Sequence, residues 1–256
     1  MDIINKVTIF SIKIDNVGLK EACEKVIGLS KQKESYSYVV TPNVDHVMKV
    51  QTDLEFKEIY NQASLVLADG QPLIWASRFL KQPLKEKVSG SDLFPLVCKM
   101  AARENLKVFF LGGQEGVAEE AARRLQMKFP GLAVSGVYSP PFGFEKDRME
   151  NDKIVSLIRE GKPDILFVGL GAPKQEKWIS RNLKAAQVPV ALGIGASFDF
   201  EAGTIQRAPV WMQKSGMEWF WRFSREPKRL FKRYFIDDSK FFLLLFKEKY
   251  IKKAAA

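Results

Sequence analysis

The chain has 256 residues, 46% of them apolar, with 40 Lys/Arg against 30 Asp/Glu and a formal net charge of +10. This length and apolar content suit one large α/β domain, or one domain with an appendage, and exclude the disordered classes. The two cysteines, Cys23 and Cys98, each fall in an apolar helical pattern. They give no basis for a disulfide framework or a cysteine metal site and point to a reducing cytoplasm.

The first sixteen residues place Asp2, Lys6, Lys13 and Asp15 among apolar neighbours and contain no continuous apolar segment of the export type. Short β-branched and apolar runs then predict strands at 38–41, 65–68, 107–111, 133–137, 165–169 and 190–193. Between them, apolar residues at three- and four-residue spacing predict helices at 43–60, 92–104, 115–129, 151–160 and 174–183. Strand and helix alternating this often imply a parallel sheet covered by helices on both faces, a Rossmann-like α/β sandwich. We assign residues 1–206 to this core and 207–256 to a C-terminal helical appendage.

In such sheets the ligand crevice lies beyond the carboxyl ends of the strands. Five predicted strands run there into small or polar residues: Thr41-Pro42-Asn43, Asp69-Gly70, Gly112-Gly113, Gly171-Ala172-Pro173-Lys174-Gln175 and Gly195-Ala196-Ser197. Glycine lets backbone approach a ligand, and free N–H groups at helix starts favour phosphate, so a nucleotide or sugar phosphate is the expected guest. Each loop taken singly is equally a tight turn; their convergence is what favours binding. Both Gly-x-Gly pairs lack the third glycine of the dinucleotide fingerprint and no Walker-type lysine exists, which weakens NAD oxidoreductase and ATPase readings.

Asp69 ends an apolar strand and precedes a glycine at this edge. It can serve as a proton acceptor or as the N-cap of a helix starting near Gln71-Pro72. Thr41 and Asn43 carry the same two readings. His46, the single histidine, sits on an amphipathic helical pattern where a structural role is the commoner one. No Asp-x-Asp motif is present; Asp199-Phe200-Glu201 is the nearest substitute, and metal ranks second to protein cations as a way to neutralise a leaving group.

The last fifty residues carry thirteen Lys/Arg against five Asp/Glu, and twelve of the thirty aromatics, whereas the preceding 206 carry twenty-seven against twenty-five. Their longest apolar run, 241–246, is far short of the ~20 residues a spanning helix needs, so this segment can lie on a bilayer without crossing it. At ~1 kcal/mol per basic residue near anionic lipid, charge and rings together support reversible attachment. An RNA-binding protein is the competing class, but the aromatics are spread over a helical tail without a stacking platform, and no nucleic-acid partner is expected.

Taken together, Thr41-Pro42-Asn43, Leu67-Ala68-Asp69-Gly70, 88–93, Leu111-Gly112-Gly113, 169–176, 195–200, Ala202-Gly203, Arg207-Ala208-Pro209 and Gly216-Met217-Glu218-Trp219 resemble, in order and spacing, the WecG/TagA/CpsF glycosyltransferases of bacterial surface-polymer synthesis. The resemblance implies inverting transfer of N-acetylmannosamine, or a related hexose, from a UDP-sugar to N-acetylglucosamine on undecaprenyl diphosphate. The product would enter a cell-surface polysaccharide or teichoic acid. It makes Asp69 the general base, with Thr41 and Asn43 beside it. It places Gly112, Gly113, Gly171, Pro173, Lys174, Gln175 and Asp199 at the nucleotide sugar, and Arg222, Arg229 and Arg233 of the appendage at the acceptor diphosphate. Lys87 stands where the family usually has arginine; it keeps the charge but not the bidentate fork, and in 85–87 it reads equally as a surface lysine. The resemblance further implies no metal or other cofactor, a peripheral position on the inner face of the cell membrane, and self-association through the core as a homo-oligomer.

Overall fold

The computed structural model describes residues 5–231 and 239–254. An antiparallel hairpin, β1 (Lys6–Ile9) and β2 (Ile12–Asp15), precedes the main sheet. That sheet contains β3 (Ser37–Val40), β4 (Leu65–Val66), β5 (Lys107–Gly112), β6 (Ala133–Tyr138), β7 (Ile165–Gly169) and β8 (Val190–Gly193), all parallel in the order β4-β3-β8-β7-β5-β6. The strands read as continuous apolar runs because both faces are covered. Alternate residues enter two separate cores, Val40, Leu111, Leu166 and Val168 on one face and Val39, Phe110, Phe167 and Leu192 on the other.

The second of these cores is closed by α1 (Leu19–Ser30), α5 (Gly90–Arg103), α6 (Val117–Lys128) and α9 (Ser197–Ala202). The first is closed by α2 (Val44–Val50), α3 (Leu54–Gln62), α4 (Gln71–Phe79), α7 (Arg148–Gly161) and α8 (Lys174–Ala186). The parallel α/β sandwich expected from the sequence is therefore present, with three local differences. The helix expected over 43–60 is two, because Asp53 accepts a hydrogen bond from the Phe56 N–H (2.9 Å) and caps a new start. The strand expected at 65–68 pairs only over Leu65–Val66, since β4 is an edge strand. The hairpin was not foreseen, and its turn explains why: Phe10, not glycine or asparagine, takes the positive φ of 54°. Asp15, buried at the end of β2, pairs with Lys6 (3.2 Å) and accepts from the Val66 N–H (2.8 Å), so the hairpin covers the sheet edge.

The C-terminal fifty residues form α10 (Val210–Lys214), α11 (Glu218–Arg225), α12 (Pro227–Phe231) and α13 (Ser239–Ala254). Phe241 and Leu245 of α13 are buried in the core on the hairpin side, with Phe241 edge-on to Phe10 at 5.4 Å and Phe246 edge-on to Phe79 at 5.2 Å. Away from that contact Phe242, Leu243 and Tyr250 are exposed. Among the described residues no helix is long and apolar enough to cross a membrane.

Candidate active site

Consecutive strands β3 and β4 build one end of the sheet, whereas β5 and β6 build the other; β7 and β8 fill in between. This reversal puts a crevice at the carboxyl ends of β3, β8 and β7, where such sheets bind ligands. Its floor is set by close backbone approach. Gly112, at φ 112°, lies so near β7 that a Cβ there would sit 2.4 Å from the Gly169 carbonyl oxygen, and the next residue, Gly113, donates its N–H to that same oxygen at 3.0 Å. Gly171, at φ 73°, has open space where a Cβ would lie, which leaves room for a ligand beside the loop.

Asp69 follows β4 on the same carboxyl edge of the sheet, four strands along from β5. Its N–H donates to the Pro42 carbonyl (2.8 Å), which ties the loops after β3 and β4 together. The helix-capping reading fails: Gly70 is the N-cap of α4 and no side chain caps that helix. Burial pushes the Asp69 carboxyl up to about 6; Arg222 and Lys87 pull it down, while Glu218 and Asp92 add to the rise. Thr41 is buried and its hydroxyl lies 3.5 Å from the Gly193 carbonyl. Asn43 takes the capping role, its Oδ1 accepting from the His46 N–H at 3.2 Å. His46 is buried, with Nδ1 2.6 Å from the Tyr60 hydroxyl, as a structural histidine should be.

Behind the crevice wall Gln175 is buried and both ends of its amide are engaged. Its Oε1 accepts from the Gly195 N–H (3.0 Å) and its Nε2 donates to Glu176 Oε1 (2.8 Å), so it braces the β7 and β8 loops against each other. Glu176 is fully buried, its Oε2 has no hydrogen-bond partner among the described residues, and burial raises its carboxyl to about 7 against the pull of the Gln175 bond. Pro173 follows a cis peptide bond. Lys174 turns to the other side of its loop, pairing with Glu145 (2.8 Å) and lying 5.1 Å from the Phe142 ring. There it lines a separate cleft of about 400 Å³ with Phe144, Lys146, Trp178 and Arg181.

Over the mouth of the crevice the appendage meets the core through charge. Lys87 lies 3.4 Å from Asp92 and 3.6 Å from Glu218; Arg207 lies 2.7 Å from Asp92 and 3.4 Å from Glu218; Arg222 lies 3.2 Å from Glu218. The guanidinium of Arg222 sits 5.3 Å from the Phe200 ring. A partly buried carboxylate facing two cations beneath a basic segment is an arrangement for deprotonating a hydroxyl and neutralising a departing diphosphate.

The model of the glycosyl transferase WecG/TagA/CpsF family matches residues 7–255. The chain belongs to this family. Relatives from Staphylococcus aureus strains MW2 and NCTC 8325 / PS 47, each named N-acetylglucosaminyldiphosphoundecaprenol N-acetyl-beta-D-mannosaminyltransferase, are 33% identical over 226 residues, covering 88% of this chain and 87% of each relative.

In this glycosyltransferase the structure brings Lys87 and Arg222 to face Asp69 and ties its loop to the one that carries Thr41, whereas Gly112 and Gly113 pack on Gly169 farther along the same sheet edge. It withdraws Gln175 into the wall and sends Lys174 to the neighbouring cleft. Both had been expected at the nucleotide sugar, a role that sequence order suggests because they open the helix after a glycine loop. Asp199 bonds Thr204 (Oδ1 to Oγ1, 3.3 Å) and Glu201 pairs with Lys128 (3.8 Å). Among the described residues no group of three or more His, Cys, Asp and Glu is gathered as metal ligands. Arg233 and the side chain of Arg229 lie outside the described residues. Sequence reasoning gave no role to Asp92, Arg207, Glu218 or Glu176. All four stand inside the motifs that carry the family resemblance, and that was the available signal.

Proposed function

We propose that this glycosyltransferase moves N-acetylmannosamine from UDP to the 4-hydroxyl of N-acetylglucosamine on undecaprenyl diphosphate, with inversion. The names of the S. aureus relatives support the transferred sugar and the lipid acceptor. The observation that carries the chemistry is Asp69, whose carboxylate has no hydrogen-bond or ion-pair partner among the described residues and faces Lys87 and Arg222. Asp69 takes the proton of the acceptor hydroxyl while that oxygen attacks the anomeric carbon from the face opposite UDP. The bond to the UDP oxygen breaks and UDP leaves with the electron pair. Lys87 and Arg222, with Arg229 and Arg233, stabilise the charge on the diphosphates without a metal ion.

A lipid-linked acceptor requires the enzyme to work at a membrane surface, on the inner face where UDP-sugars are found. The exposed Val210, Trp211, Trp219 and Phe220 of the appendage, and Phe242, Leu243 and Tyr250 of α13, suit such a surface when mixed with its basic residues. The product serves a teichoic acid or another surface polysaccharide. The test is incubation with UDP-N-acetylmannosamine and lipid-diphosphate N-acetylglucosamine, in EDTA, followed by product mass. Gain of one N-acetylhexosamine by the lipid supports the reading. Absence of transfer while another UDP-sugar reacts would replace the donor, and activity that returns only with added magnesium would replace the metal-free step.

A further inference from the structure

We propose that Glu218 is a positioning residue: braced by Arg207, it holds Lys87 and Arg222 in place facing Asp69. The inference rests on the proposed transfer reaction. Glu218 opens α11, and its carboxylate lies within 3.6 Å of Lys87, 3.4 Å of Arg207 and 3.2 Å of Arg222. Asp92, in the first turn of α5, holds the core side of the same cluster at 3.4 Å from Lys87 and 2.7 Å from Arg207. Three cations and two anions are thus shared between core and appendage, with only 17% of the Glu218 side chain and 19% of the Lys87 side chain exposed.

The pairs of Glu218 with Lys87 and Arg207 are shielded enough to be held in one geometry, whereas Arg222, 46% exposed, is ion-paired from one side only among the described residues, by Glu218. The surplus cation leaves the cluster net positive toward an incoming diphosphate. Lysine at position 87 gives the clasp a particular purpose. A flexible ammonium lacks the planar fork with which arginine fixes its own geometry, and two carboxylates on opposite sides, Asp92 and Glu218, supply the fixing. A second contact of the same kind steadies α11: the Trp221 indole N–H donates to the Gln206 carbonyl (3.2 Å) and Arg225 to Gln206 Oε1 (3.1 Å).

The test compares the full chain with its Glu218→Gln variant in two measurements. In the transfer assay across pH, kcat should fall about 10- to 100-fold, as misplacement of a catalytic group does, while the donor KM changes little. The acid limb of the profile should also move to higher pH, because Arg222 and Lys87, each of which lowers the Asp69 carboxyl more than Glu218 raises it, lose their hold; a shift to lower pH would mean that both cations stay in place without Glu218 and overturns the proposal. The other groups that face Asp69, Asp92 and Tyr60, remain. In hydrogen exchange without substrate, amides of α11 should exchange faster than in the parent. Unchanged kcat and acid limb overturn the proposal. Unchanged α11 exchange also overturns it, and does so even if the parent transfers no sugar, an outcome that would sink the proposed reaction instead. Should the glutamine variant fail to fold, Arg207→Lys keeps the charge and loses the fork. It is expected to lower kcat without moving the acid limb, and full activity in it counts against the clasp.

Discussion

Two pairs of acids lie on either side of the crevice, and the same burial acts on them with opposite outcomes. On the inner side, burial raises Asp69 to about 6 and, behind the crevice wall, Glu176 to about 7, because each is poorly compensated where it sits. At the mouth, burial also raises Asp92 and Glu218, but it is outweighed. The Ser89 hydrogen bond, Lys87 and Arg207 hold Asp92 below its ordinary value, and Arg222, Arg207 and Lys87 do so for Glu218. Burial alone therefore does not decide what a carboxylate can do; the hydrogen bonds and ion pairs it makes directly do. The inner acids can carry protons near neutral pH, and the mouth acids stay charged as anchors.

The largest expected effect is on the inner side. Asp69→Asn keeps the shape and removes the base, and turnover should fall about 100- to 10,000-fold in the transfer assay. Its stability should move the other way. A carboxyl raised above its unfolded value destabilises the fold fully above about pH 6, and the penalty fades as pH drops through that value. The asparagine variant should thus melt higher than the parent at pH 8 and lose that advantage at acid pH. Turnover within a few-fold of the parent would remove Asp69 from the base role.

Next comes the attachment of the appendage. Phe241 is fully buried against the hairpin side of the core, so Phe241→Ala should cost about 3–5 kcal/mol in denaturant unfolding. A loss near zero would show α13 to be an adornment and leave the charged clasp as the main link to the core. For the same reason a chain ending at Gln206 uncovers apolar core surface as well as losing the basic helices.

Glu176→Gln sharpens the inner side of the comparison. With the folded value about 7, the cost of the charged form is complete above that pH and fades as the pH falls from about 7 to the ordinary value of 4.5. The variant should be stabilised relative to the parent at pH 8.5, with an advantage that shrinks steadily and is gone only below about pH 4.5, as read from melting curves. A pH-independent difference would mean that Glu176 is neutral throughout, or that its brace on Gln175 dominates.

The smallest effect belongs to the outer face. Phe242→Ser, on the exposed side of α13, should leave unfolding within about 0.5 kcal/mol of the parent, as surface substitutions do. Its sedimentation with anionic vesicles should weaken. Unchanged vesicle binding would shift the membrane contact to the basic residues alone.

The parallel sandwich and its two covered faces were legible in the sequence, because strand and helix periodicities are local, and so were the turns at its carboxyl edge, because glycine has few alternatives at a sharp strand end. Asp69 could be nominated from its position after an apolar run, and the charge of the last fifty residues from counting. Other things depended on which residues meet across the fold. Asn43 and Asp69 had the same two readings in sequence, yet one caps a helix and the other faces Lys87 and Arg222, because Gly70 starts α4 and frees the acid. Gln175, expected at the nucleotide sugar, also bridges two loops that the sequence keeps apart, since the β8 loop offers it the Gly195 N–H. Lys87 in a run of charged residues could not be told from a solvated lysine until α11 arrived over it. Helix and strand signals are written over a few neighbouring residues, whereas a side chain's partners, and with them its charge state, come from segments far apart in the chain, and only the packed structure chooses among them.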